Sequence, residues 1–310
     1  MSAATKAPWC ESVAMAFGPF QPNPPIAGDH LVLNRLLPSQ ILAIILWAAL
    51  VMFAPAVAAT LTVVSFNVES DRDTSPHKVA QDIRAISAAS AADLFGLAEV
   101  QGADDLAIYT EAAARKGADF RALLARNGGD DRVAILFNAS ALELRQVREL
   151  DRIPGSRKAL VARFQHRTLA TEFLFIVNHF NRRDTARRNR QALLIRDWVL
   201  AQDLPAILVG DYNFDYDPNK GRGNAAFGIF TEDPGLVWLQ PPCIVAGTCP
   251  STGTQCDDRF NSIMDFVLLA HQGRGWKGRS AILMQQPDYC ERERRGYADH
   301  RPVLGVFEIR

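Results

Sequence analysis

An excess charge of either sign is missing from this sequence: 34 Lys and Arg are balanced by 34 Asp and Glu. A protein that coats nucleic acid needs many phosphate contacts, and the balance argues against that class. It says little against an enzyme that engages one phosphate at a time. Cysteine is scarce, with five residues and no C-x-x-C pair, which argues against a structural zinc module. From residue 60 onward no repeat period and no low-complexity tract interrupts the chain, so solenoids and disordered arrays are excluded. Charge is also absent between Arg35 and Glu69, and that gap holds an unbroken apolar run, Ile41 to Phe53.

The run is short for a membrane span, which needs roughly 20 apolar residues. With Arg35 before it and Ala56-Val57-Ala58-Ala59 after it, the pattern is that of a secretory signal. The expected organisation is therefore in three parts. Residues 1–40, rich in proline around Gln21–Pro25, form a disordered extension or follow a start codon assigned too far upstream. Residues 41–59 are the apolar core and cleavage site of the signal, or an uncleaved anchor. Residues 60–310 are the folded domain. The expected location is secreted or periplasmic, and membrane-anchored if the signal stays. Cys10 lies ahead of the cut, leaving an even set, Cys243, Cys249, Cys256 and Cys290. Such a set suits an oxidising compartment and two disulfides. Several connectivities are open; the expected one joins Cys243 to Cys249 and Cys256 to Cys290.

Apolar periodicity beyond residue 60 alternates between strands and helices. Strands are expected at Leu61–Phe66, Asp93–Val100, Val133–Phe137, Leu142–Leu150, Ala159–Phe164, Phe173–Val177, Ala206–Val209, Ile263–Leu269 and Val303–Ile309. One helix should start at Ser75-Pro76, a cap residue and an N1 proline. A second should run from Asp104 to Lys116 and stop at Gly117, and a third from Thr185 to Gln202. The Gly- and Pro-rich stretch 218–253 reads as loop. This is an α/β (α+β) pattern in one continuous domain.

Polar residues capable of meeting phosphate or metal stand at the ends of these strands. They are Asn67-Val68-Glu69, Glu99, Asn178-His179-Phe180-Asn181, Gly210-Asp211-Tyr212-Asn213, Met264-Asp265-Phe266 and Asp299-His300. Singly, each has a bland reading: Asn67 or Asp211-Tyr212-Asn213 as a turn, Glu99 as a solvated loop residue, either histidine as a hydrogen-bonded structural one. Asp265 is different, because a lone charge inside Ile-Met-Asp-Phe-Val is costly unless paired. In this order the segments resemble the endonuclease/exonuclease/phosphatase superfamily, the fold of pancreatic deoxyribonuclease, across residues 60–310. The resemblance implies a four-layer αββα sandwich, two packed and mostly antiparallel sheets flanked by helices. Three positions depart from the family pattern without touching a ligand: Ala98 for a frequent Gln, Phe66 for a Trp and Ala298 for a Ser.

Each residue also suits a role in phosphoryl transfer. Mg²⁺, with Mn²⁺ as a substitute, takes oxygen ligands and keeps several waters; Glu99, Asp299, Asn67 and Glu69 are the candidate ligands. Asp211 would orient or deprotonate water, held by Asn213. His179 and His300 would donate to the non-bridging oxygens as charge builds, and Asp265 would fix the tautomer of His300. Arginine matches phosphate geometry, so Asn181, Arg183, Arg187 and Arg301 are candidates for binding substrate phosphate. The expected function is that of a secreted, metal-dependent phosphodiesterase, a nuclease with nucleic acid as substrate. The alternatives are a sphingomyelinase-like or small phosphate-ester hydrolase, for which Phe227, Phe230, Val237, Trp238 and Leu239 offer apolar loop residues, and a catalytically silent binding module. No obligate protein partner is expected, and the chain should be a monomer.

Overall fold

The computed structural model describes residues 59–69, 73–232, 235–251, 253–257, 262–270, 276–286 and 288–310. The extension, the signal core and Cys10 lie outside them. Two six-stranded sheets form the body. The first contains β1 (Ala59–Asn67), β2 (Leu94–Val100), β3 (Phe120–Leu124), β4 (Arg132–Asn138), β11 (Lys277–Ile282) and β12 (Val303–Ile309), in the order β11-β12-β1-β2-β4-β3. The second contains β5 (Leu142–Glu149), β6 (Leu160–His166), β7 (Glu172–His179), β8 (Ala206–Tyr216), β9 (Val237–Trp238) and β10 (Ile263–Ala270), in the order β5-β6-β7-β8-β10-β9. Each sheet has one parallel pair at its centre, β1 with β2 and β7 with β8; the other pairs are antiparallel.

Strand alternation builds the layers, since successive side chains point to opposite faces. In β1, Leu61 and Val63 enter a core between the sheets, with Val177, Val209 and Val267 from the second sheet. Val64 and Phe66 face outward, under α1 (Pro76–Ser90) and α2 (Ala103–Ala113). The second sheet is covered in the same way by α3 (Thr185–Leu200) and α4 (Ala225–Thr231) over Ile176, Leu208 and Phe266. Helices, sheet, sheet, helices is the expected four-layer sandwich. The sheets approach closely at Gly96, where an added Cβ would lie 2.2 Å from Val209 Cγ2.

Several local expectations are corrected. α2 ends at Ala113, short of Lys116 and Gly117, because Ala114 is extended and Arg115 turns its guanidinium onto the carbonyls of Ala91 and Ala92. Strands β3 and β11, absent from the sequence reading, complete the edges of the first sheet. The 218–253 stretch holds α4, β9 and α5 (Pro242–Ala246). Asn224 caps α4 by accepting from Ala226 N and Phe227 N, and Gly247 ends α5 in the left-handed region. Most of its large apolar residues are packed inward: Phe230 is buried, and Phe227, Trp238 and Leu239 lie against the cores, while Val237 and Val245 stay exposed. Both expected disulfides are present, Cys243–Cys249 and Cys256–Cys290.

Candidate active site

Asn67, His179, Asp211 and Asp265 share a parity. Each continues the inward face of its strand, following Val63 and Ser65, Phe175 and Val177, Ile207 and Val209, or preceding Val267 and Leu269. The inter-sheet core thus turns polar at one end of the sandwich. Register aligns three of the four across the second sheet, with His179 opposite Asp211 and Asp211 opposite Asp265.

The backbone is specialised there. Gly210 has φ 138° and packs so tightly on β7 that a Cβ would lie 1.9 Å from Asn178 O. Its N–H donates across the sheets to Ser65 Oγ at 2.9 Å. Glu69, Glu99 and Asn213 adopt positive φ of 53°, 62° and 49°. Left-handed backbone is uncommon outside glycine and persists where surrounding structure imposes it, a pattern that concentrates at functional sites.

Asp211 is the centre of the cluster. Asn67 Nδ2 donates to Glu99 Oε1 at 2.8 Å and to Asp211 Oδ2 at 3.2 Å. His179 Nε2 lies 3.6 Å from Asp211 Oδ2 and 3.7 Å from Glu99 Oε1, and His300 Nε2 lies 4.0 Å from Asp211 Oδ2. The other oxygen, Asp211 Oδ1, accepts from Asn213 N at 2.9 Å, and Asn213 Nδ2 donates to Phe180 O. Glu69 and Asp299 join through Asp299 N, which donates to Glu69 Oε2 at 3.0 Å, while Glu69 N donates to Asn67 Oδ1.

The His300–Asp265 pair is buried, with Nδ1 and Oδ2 2.7 Å apart. Burial opposes charge on His300, but the carboxylates of Asp265, Asp299 and Asp211 outweigh it and hold the imidazole well above its ordinary pKa. Burial lifts Asp265 to about 6 against the pull of His300. The two titrate as one unit that retains a shared proton.

The family model of the Endonuclease/Exonuclease/phosphatase family matches residues 64–277, more than half of the chain. The chain belongs to this family. No curated protein matches it significantly. Among solved structures, a member of the family from Bacteroides thetaiotaomicron is 19% identical with a TM-score of 0.61, covering 82% of this chain and 99% of that one. A mannosyl-6-phosphatase from the same organism is 17% identical with a TM-score of 0.58, covering 80% and 99%. TDP2 of D. rerio, complexed with single-strand DNA product, is 15% identical with a TM-score of 0.58, covering 81% and 100%. At such identities the structural likeness speaks to the fold alone.

As an endonuclease/exonuclease/phosphatase family member, the protein is a phosphoric ester hydrolase, and the family is metal-dependent. Among the described residues, two groups place ligand atoms within 4.8 Å of one another: Glu99 with His179 and Asp211, and Asp211 with Asp265 and His300. In the second, Asp265 and His300 already neutralise each other. The first offers the carboxylate oxygens of Glu99 and Asp211, which suit a hard dication, and Asn67 Nδ2 donates to both and orients them.

The candidate phosphate binders fare differently. Arg183 and Arg187 are exposed at the start of α3, Arg187 paired with Asp184 at 3.4 Å. Asn181 shapes that turn, its Oδ1 accepting from Arg183 N and Asp184 N. Arg301 is corrected: it is buried, donates to Met284 O and Gly253 O, and lies over the Tyr289 ring, so its fork is directed into the protein.

The sequence reading missed Asp131. Its Oδ1 lies 3.2 Å from His179 Nδ1, and neither atom has another hydrogen-bond partner, while Oδ2 meets Arg157. Burial would raise this carboxyl; His179 and Arg157 overcome it and hold it below its ordinary value. Arg157 also donates to Phe180 O, so it ties the loop before β6 to the end of β7. In Asn-Gly-Gly-Asp-Asp-Arg, Asp131 looks like a turn residue, and its place directly before an apolar strand was the one signal available.

Proposed function

We propose that the protein is a Mg²⁺-dependent phosphodiesterase that directs water in line at phosphorus, with nucleic acid as substrate. The observation that carries this is the ring of donors around Asp211 Oδ2, formed by Asn67 Nδ2, His179 Nε2 and His300 Nε2 at 3.2, 3.6 and 4.0 Å. Glu99, with Asn67, Glu69 and Asp299, would hold the dication, which neutralises charge on the phosphate oxygens when bound. Asp211 takes the proton of the attacking water or orients it, and Asn213 N fixes the rotation of that carboxylate. His300, kept protonated by Asp265, and His179, backed by Asp131, donate to the non-bridging oxygens as negative charge grows. The bond from phosphorus to the departing oxygen breaks as the bond to water forms.

Nucleic acid is favoured by the exposed arginines at the start of α3, which suit a polyanion, and by the single-strand DNA product held by one structural neighbour. Inward packing of Phe230, Trp238 and Leu239 leaves Val237 and Val245 as the large apolar residues exposed in the described part of this stretch, little surface for a lipid substrate. The mannosyl-6-phosphatase among the neighbours supports a second reading, a soluble phosphate ester. Two disulfides support export to an oxidising compartment and fit the expected signal.

The full chain, purified with disulfides formed, should be assayed on single-stranded DNA, duplex DNA, RNA, sphingomyelin and a bis-aryl phosphodiester. Each assay runs with Mg²⁺, Mn²⁺ or EDTA, beside Asp211→Ala. The expected result is metal-dependent cleavage of nucleic acid that the variant loses. Turnover of none of these, with no metal bound, would leave a silent binding module.

A further inference from the structure

One short stretch, Thr254–Cys256, supplies no acid and no histidine yet touches three parts of the site. The Thr254 hydroxyl is buried and accepts from both Met264 N and Asp265 N, at 3.0 and 3.2 Å. Gln255 forms an antiparallel bridge with His300. Cys256 N donates to Asp299 O at 2.7 Å, and Arg301 N donates to Thr254 O at 2.6 Å. The stretch therefore lies along Asp299–Arg301 as a template strand, and Cys256–Cys290 staples it in place.

The side chain of Gln255 is used at both ends. Nε2 donates to Asp299 Oδ2 at 3.1 Å, and Oε1 accepts from Asp257 N at 2.8 Å. This defines the amide: a flip would set oxygen against a carboxylate and NH₂ against a backbone N–H. Gln255 is 7% exposed, so water does not readily replace it. Asp299 Oδ1, the other oxygen, is 3.7 Å from His300 Nε2 and so faces the site.

We infer that Gln255 is a positioning residue for Asp299, setting the rotation of a carboxylate whose other oxygen serves the cation. The chemistry of the residue suits the task. Lys or Arg here would compete with the cation for Asp299, and Asp or Glu would repel the carboxylate. A neutral amide, oriented by a backbone N–H, holds the ligand without changing its charge. Partners that orient a ligand in this way commonly contribute about 10–100-fold in metal affinity.

The inference rests on Asp299 being a cation ligand, as proposed above, and the test separates the two. Mg²⁺ binding to the full chain is measured by calorimetry and by the metal-induced rise in Tm, for the wild type, Asp299→Ala and Gln255→Met. The expected result is Mg²⁺ affinity weakened at least about tenfold in Gln255→Met, with kcat restored when Mg²⁺ saturates. A merely structural role would lower the metal-free Tm or kcat and leave the Mg²⁺ affinity where it was; that result overturns the inference. Should Gln255→Met fail to fold, Gln255→Asn keeps the amide but is too short to reach both partners, and the same weakening is expected. Mg²⁺ binding that Asp299→Ala weakens and neither Gln255 variant changes sinks the inference alone. No Mg²⁺ binding in the wild type, or full affinity in Asp299→Ala, removes the reading on which it rests.

Discussion

Replacing Asp265 by Asn keeps the shape of the side chain and removes its charge. Asp265 is buried among Ile263, Met264, Phe266 and Val267, and its Oδ2 lies 2.7 Å from His300 Nδ1. In the variant an amide oxygen can still accept from Nδ1, so the ring keeps its place, but the imidazolium loses its nearest counter-charge. Removing one partner of a buried ion pair costs about 3–5 kcal/mol. His300 escapes that cost at rest by losing its proton, and meets it when it must donate to phosphate oxygens. At about 1.4 kcal/mol per factor of ten, kcat/KM should fall by about 10²–10⁴. The pH profile carries a second signature. Asp265 contributes to holding His300 above its ordinary value, so its loss lowers the His300 pKa and the protonated ring survives only at lower pH. The alkaline limb of kcat/KM should therefore move toward acid. Rates on a phosphodiester substrate across pH 5 to 10 test both points. An Asp265→Asn enzyme within about tenfold of wild type, with an unmoved alkaline limb, would refute the role given to the pair.

Asp82 in α1 is buried against Arg292 Nη2 at 2.7 Å, and burial lifts its carboxyl from 3.8 to about 6 despite the arginine. The folded state thus binds the extra proton, so stability from this group is greatest below pH 4 and is lost as pH rises through about 6, by about 3 kcal/mol. Asp82→Asn should flatten that part of the Tm-against-pH curve; an unchanged slope would show that another group sets it. Replacing Cys256 and Cys290 together by Ser opens a loop with a sequence separation of 34. Chain entropy then predicts a loss of about 3–4 kcal/mol, to be read by urea unfolding, and equal midpoints would count against it.

Much of the site could be read before the fold because its residues follow or interrupt apolar runs that are unmistakable, although β8 runs on through Asp211 and Asn213 to Tyr216. Asp211 follows Ala206–Gly210, His179 follows Phe173–Asn178, and Asp265 interrupts an otherwise apolar strand. The parity that turns them inward is present in the sequence as well: Val209 and Asp211, or Val177 and His179, are two apart and share a face. Asp131 and Gln255 were not legible. Each acts through contacts with distant segments, Asp131 with His179 and Arg157 and Gln255 with Asp299, and neither stands in a run whose periodicity marks it. Arg301 misled for the opposite reason: proximity to Asp299-His300 in sequence suggested phosphate, whereas the ring of Tyr289 and two carbonyls draw it inward. In the 218–253 stretch, glycine and proline hid α4, whose stability comes from aromatic contacts of Phe227 and Phe230 with Phe214 and Tyr212 rather than from helix propensity.

The pairing of β1 with β12 has a consequence for when the site can assemble. β1, at the centre of the first sheet, hydrogen-bonds on one side to a strand far later in the chain, Ala59 opposite Ile309 and Ser65 opposite Val303. Asp299 and His300 stand directly before that late strand, and Glu99 on β2 depends on β1 for its neighbour. A ribosome-bound chain therefore carries Asn67, Glu99, His179 and Asp211 long before it can gather them with His300. The site is thus complete only once β12 has been made and paired with β1.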